Sequence, residues 1–305
     1  MRRQLVGGLA VAAMTLSGAA PAAAQEARVY QPAGQWALDY GDDYCRLMRT
    51  FSDGKNEVAL PFERIEPGPT MRMVLVGDGI RTFRGAEELG WNFAPSAGGE
   101  RKARYALSKT VEKKDYFNLG PVMIAALGPP APGTPPGPPP VYDRDAERTA
   151  AKPLTAITVG SGLIEPVRIE TGSLEAPVGA LQACADDLAG TWGLEPAKLA
   201  GATPAMPEGG GAGWLPQGTI PFEDFGKFAA GSNQVRLMVD AAGKPTSCHI
   251  HWPTLSESVN KKVCSTLMEK AKFSPARDAQ GQAMAGFWVG SPLFLGPPMP
   301  GARRG

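Results

Sequence analysis

The chain has 305 residues and carries 31 Lys plus Arg against 30 Asp plus Glu, a near-neutral balance that excludes the basic field a nucleic-acid-binding protein needs. Its 38 glycines and 30 prolines punctuate the sequence but fall short of the content of a wholly disordered chain. At roughly 100 to 200 residues per domain, this length suggests two domains.

Residues 1–24 read as a cleavable signal peptide. Arg2 and Arg3 form the positive end, Leu5 to Leu16 the apolar run, and Ala22, Ala23 and Ala24 the small residues before cleavage at Gln25. The apolar run is shorter than the roughly 20 residues of a spanning helix, so a retained inner-membrane anchor is the alternative and a free periplasmic protein the expectation.

Strand-like alternation follows in Trp36, Leu38, Tyr40, then Cys45, Leu47, Phe51, then Val58, Leu60, Phe62, then Met71, Met73, Leu75. Turn-rich breaks such as Ser52-Asp53-Gly54 and Glu66-Pro67-Gly68-Pro69 separate these runs, which together predict a β-meander. A less regular segment to about Leu127 precedes the proline run 129–140, expected as a surface loop within one domain. Strand character resumes at Ile157 to Val159 and at Val167 to Ile169. A helix follows, with Pro177 in its first turn and Leu181, Cys184, Leu188 and Trp192 as one apolar stripe.

Residues 196–213 show no periodicity and read as a linker between a β-rich N-terminal domain, 25–195, and a second domain, 214–298. In the second domain, Val235, Leu237 and Val239 alternate, Asp240 to Pro245 turns, and Cys248, Ile250 and Trp252 alternate again, which predicts a hairpin with those last three on one face. Thr254 with Glu257 fits a capping box opening a helix through Val259, Val263, Cys264, Leu267, Met268 and Ala271, which Ser274-Pro275 ends. A last strand runs from Phe287 to Leu295. The class is α+β, with the second domain a small two-layer unit of helix, hairpin, helix and strand.

The four cysteines, Cys45, Cys184, Cys248 and Cys264, favour disulfides in an oxidising compartment, against the alternative of buried free thiols. Sequence leaves three pairings open; one bond per domain joins Cys45 to Cys184 and Cys248 to Cys264.

Few residues offer chemistry. The two histidines, His249 and His251, alternate on a strand and point the same way, a possible pair of metal ligands. No carboxylate is evidently placed to complete a site and that face is expected to be open to water, so neither a metal nor any other cofactor is expected. Asp42-Asp43 and Asp186-Asp187 are adjacent pairs whose side chains diverge, Asp78-Gly79 reads as a turn, and Gly160-Ser161-Gly162 lacks the rest of a nucleophile elbow. No catalytic residues emerge. An enzyme acting through the N-terminal domain, by a carboxylate or serine-lysine scheme, is the remaining alternative to a binding protein.

The segments VRLMVDAAGKP at Val235 to Pro245 and AKFSPARDAQG at Ala271 to Gly281, with the helix between them, resemble the C-terminal domain of TonB-type energy transducers. The resemblance covers about 85 residues and implies pairing with an outer-membrane receptor by β-augmentation, with Phe287, Trp288, Val289 and Leu293 as the candidate edge strand. A transducer also needs a retained anchor and a long proline-rich rod. A cleaved signal and a proline run of about 37 Å at most, at polyproline rise, favour a periplasmic binding protein over an anchored transducer.

Overall fold

The computed structural model describes residues 26–96, 99–124 and 142–292. The signal segment, the proline run 129–140 and Leu293 lie outside them.

The N-terminal domain is built on one 11-stranded sheet. Its strands in chain order are β1 (Arg28–Pro32), β2 (Ala37–Tyr40), β3 (Cys45–Ser52), β4 (Glu57–Arg64), β5 (Met71–Val76), β6 (Glu88–Ala94), β7 (Arg101–Arg104), β8 (Ala106–Lys109), β9 (Asp115–Val122), β10 (Ala156–Val159) and β11 (Val167–Glu170). Helices α1 (Arg144–Ala151), α2 (Glu175–Thr191) and α3 (Pro196–Leu199) complete this half. The spatial order is β7-β6-β10-β11-β1-β3-β4-β5-β9-β8, with β2 paired to β3. β7 and β8 are joined by Tyr105 alone yet stand at opposite ends of that order, so the sheet curls until its ends nearly meet and forms an almost closed barrel.

The meander stands where alternation places it, as β2 to β5. The segment before Leu127 is more regular than expected and contains β6 to β9. β7 and β8 are four-residue polar strands held by their pairing, while β6 and β9 send the alternating Leu89, Trp91, Phe93 and Phe117, Leu119 into the core. β10 and β11 join the same sheet, β11 running parallel to β1. Leu181, Cys184 and Leu188 of α2 share one core with Leu47, Phe51, Leu60 and Met73. The Cys45–Cys184 disulfide ties helix to meander across a Cα–Cα distance of 5.9 Å.

β4 and β5 are buried on both faces along much of their length. Val58, Leu60 and Phe62 fill the core, while Glu63 on the outer face accepts hydrogen bonds from Arg46 and Arg72. The C-terminal module covers that outer face. This contact explains why Arg72 is only 8% exposed.

The C-terminal module comprises β12 (Met206–Pro207), β13 (Gln234–Val239), β14 (Pro245–His251), α4 (Glu257–Lys270), β15 (Phe273–Ser274), β16 (Ala276–Arg277), β17 (Ala283–Met284) and β18 (Gly286–Gly290), with a 3-10 segment at Phe222–Gly231. Its main sheet is β14-β13-β18. Val235, Leu237 and Val239 face α4 and pack with Val263, Leu267 and Phe273 in a second core. Residues 196–213 carry α3 and β12; β12 pairs with β15, and Ala205 belongs to the second core. The hairpin turn needs Gly243: φ is +82°, and a Cβ there would sit 2.0 Å from the Phe273 carbonyl oxygen. Cys248 and Cys264 are bonded, joining sheet to helix across 5.6 Å between Cα atoms.

Two local expectations change. The N-cap of α4 is Ser256, whose hydroxyl accepts from the Val259 amide, so the cap lies two residues beyond the expected one. Thr254 is engaged elsewhere, bonding both ends of the buried Asn233 amide and the Lys227 carbonyl. Trp252 leaves the face of Cys248 and Ile250, because its φ of +48° turns the chain and sends the indole toward the N-terminal domain.

Candidate functional site

The two halves meet on the sheet face opposite α4. Period-2 geometry sends Arg236 of β13, His249 and His251 of β14, and Phe287 and Val289 of β18 to that face, and the register sets Arg236 directly between His249 and Val289. The N-terminal domain answers with Asp43, Arg72 and Trp192.

Asp43 is presented by the tight turn between β2 and β3, closed by the Gly41 amide donating to the Tyr44 carbonyl at 2.9 Å. Gly41 leaves room for the Tyr44 ring, which a Cβ there would meet at 2.5 Å. The His249 Nε2–H donates to Asp43 Oδ2 at 2.7 Å, and His251 Nδ1 lies 3.3 Å from the same oxygen. The imidazole rings are edge to face with centroids 4.7 Å apart. On the far side of His251, Arg236 Nη1 approaches Nε2 at 3.4 Å. Arginine can only donate, so Nε2 accepts and the ring hydrogen of neutral His251 lies on Nδ1. That Nδ1 is buried and makes no aligned hydrogen bond.

The expected water-exposed histidine pair is therefore corrected. His251 has only 1% of its side chain exposed, while His249 keeps 43%. A carboxylate does complete the group, but it comes from 206 residues upstream, beyond the reach of any spacing argument. Burial, then the charges of Arg236 and His249, push His251 down to about 3, against the opposing pull of Asp43. His251 is neutral at physiological pH. Burial also lowers Arg236 to about 10, although Asp43 and Glu66 favour its charge.

Arg236 lies 3.8 Å from the centre of the Trp192 ring, and Arg72 lies 3.8 Å from the centre of the Trp252 ring. Each half thus places a guanidinium over an indole of the other. Beside this exchange is a cavity of about 90 Å³ lined by Glu63, Glu66, Arg72, Gln234, Trp252 and Val289. Burial pushes Glu66 up to about 7, opposed by Arg64 and Arg236.

The edge-strand residues divide between the two faces of β18. Phe287 stacks edge-on to Trp192 at 5.5 Å, Trp288 packs into the second core against Trp214 and Phe273, and Val289 lines the cavity. The side chains of Phe287, Trp288 and Val289 serve this chain's own packing, and among the described residues no strand pairs with the outer edge of β18.

The adjacent acidic pairs do diverge: Asp43 faces the histidines while Asp42 is exposed, and Asp186 pairs with Arg144. Elsewhere a buried network ties α1 and α2 to β4, with Glu147 accepting from Arg64, Tyr142 and Gln182. Burial pushes Tyr142 up to about 12, so the phenol stays protonated and donates. This network is internal bracing.

Among the described residues no helix is long and apolar enough to cross a membrane, and the two disulfides suit an oxidising, exported compartment. No protein-family model, curated protein or solved structure matches the chain.

Proposed function

We propose that the protein is an exported periplasmic binding protein that captures an extended segment of a partner protein along β18. The segment would add a fourth strand to the β14-β13-β18 sheet. The observation that carries this reading is the contrast between the two sheet edges. β18 runs in unbroken register with β13 over five residue pairs, Val235 with Gly290 through Val239 with Gly286, and among the described residues no strand pairs with its outer side. β14, at the other edge, begins with Pro245, which has no N–H, and its register slips at Met238 and Val239. A proline and a bulge are the usual means of blunting an edge, and β18 has neither.

Docking of the sheet face against the N-terminal domain leaves the edge as the part of the sheet open to a partner. Edge pairing draws affinity from main-chain hydrogen bonds, which suits a strand whose side chains are already committed. The resemblance to the TonB C-terminal domain points to the TonB-dependent receptors of the outer membrane as the partner class.

The test is a titration of the 15N-labelled full-length mature protein with synthetic peptides carrying the TonB-box segments of receptors from the source bacterium. Amide shifts centred on Phe287 to Gly290, lost in Val289→Pro, are expected. Shifts centred elsewhere, or none at millimolar peptide, would reject the reading.

A further inference from the structure

We propose that Asp43, His249 and His251 form a binding site for one divalent transition-metal ion of the imidazole-preferring series, zinc above all, held at the junction of the two halves. This inference is independent of the edge-strand reading. The three ligand atoms lie within 4.8 Å of one another. Metal–ligand bonds of roughly 2.0 to 2.2 Å place neighbouring donors of a tetrahedral zinc site about 3.3 to 3.5 Å apart. The observed separations of 3.3 Å for His251 Nδ1 and 2.7 Å for His249 Nε2 from Asp43 Oδ2 therefore need only small outward shifts to admit an ion.

A second observation points the same way. His251 Nδ1 is buried and makes no aligned hydrogen bond, although Asp43 Oδ2 lies 3.3 Å away. Buried polar atoms are almost always paired, and an ion between Nδ1 and Oδ2 would pair this one. Asp43 and His249 keep 34% and 43% of their side chains exposed, which supplies an entry path and room for water as a fourth ligand. Two imidazoles and one carboxylate make a donor set suited to zinc, nickel or copper and too poor in oxygen for calcium or magnesium.

Arg236 is the element that opposes the ion. Ligation through Nδ1 moves the ring hydrogen of His251 to Nε2, where it faces the Arg236 donor at 3.4 Å. Ligating histidines ordinarily give that hydrogen to an acceptor. Arg236 thus sets an upper limit on affinity and makes its own replacement informative.

The sequence makes the test clean, because the chain has only two histidines and its four cysteines are all bonded to one another. Zinc chloride is titrated by calorimetry into the chelator-stripped, disulfide-intact mature protein, with cobalt(II) absorption as a second readout of imidazole ligation. One ion per chain at micromolar affinity or tighter is expected, with at least tenfold weakening in His249→Ala and in Asp43→Ala, both partly exposed positions that leave the cores intact. Arg236→Gln, confirmed as folded by its melting curve, should bind at least as tightly as wild type. Absence of one-to-one binding, or binding that either ligand variant leaves unchanged, would overturn the site. Weaker binding by folded Arg236→Gln would overturn ligation through Nδ1.

Discussion

The guanidinium of Arg236 lies 3.8 Å from the centre of the Trp192 ring, and this pair joins the C-terminal sheet to the end of α2. Arg72 over Trp252 makes the same contact in the opposite direction. A cation over an indole contributes up to ~2 kcal/mol when both are desolvated. Trp192→Ala should therefore loosen the docking by about that amount and leave each core folded. Differential scanning calorimetry should then resolve two transitions or a broadened one; a single sharp transition at the wild-type temperature would contradict the assignment.

The buried network around Glu147 should be far less tolerant. Glu147→Ala leaves Arg64, which is 1% exposed, as an uncompensated charge, and removal of one partner of a buried pair costs about 3 to 5 kcal/mol. Urea unfolding should show that loss. A change below about 1 kcal/mol would mean that water reaches Arg64.

The disulfides differ in the loops they close, with sequence separations of 139 for Cys45–Cys184 and 16 for Cys248–Cys264. On the chain-entropy account these contribute about 5 and about 3 kcal/mol. The Cys45→Ser/Cys184→Ser double variant should lose more stability than Cys248→Ser/Cys264→Ser. Equal losses would show that strain or residual unfolded structure dominates.

Two carboxylates should report on pH with opposite sign. Asp53 is held at about 2, below its ordinary 3.8, first by the Asn56 side chain and then by the Asn56 and Lys55 amides. Its contribution is present above about pH 3.8 and is lost as pH falls toward 2. The difference in melting temperature between wild type and Asp53→Ala should be constant at neutral pH and shrink across that window. Glu66 is raised from 4.5 to about 7 by burial, so its contribution is present at low pH and is lost as pH rises through 7. Glu66→Gln should match wild type at pH 4 and melt higher at pH 8; the reverse order would contradict the assigned burial.

The strands of the meander, the hairpin, α2 and the β18 segment were legible because each carries an apolar period that local geometry must bury on one side. The capping of α4 was misplaced by two residues because Thr254 and Ser256 both suit an N-cap, and only the buried Asn233 claims Thr254. β7 and β8 were not legible, since four-residue polar strands gain their stability from partners that sequence does not name, whereas Leu89, Trp91 and Phe93 of β6 and Phe117 and Leu119 of β9 do alternate and enter the core, a signal the sequence carries.

The candidate site was half legible. Alternation places His249 and His251 on one face, and the cysteine count in an exported chain favours two bonds. That the histidine face is covered, that Trp252 leaves its strand's apolar face, and that Asp43 and Trp192 meet β13 and β14 are outcomes of docking. The reason is physical. Local periodicity determines which side of an element is apolar, whereas the identity of the surface that meets its polar side depends on contacts between positions as far apart as Asp43 and His249, which only the folded barrel brings together.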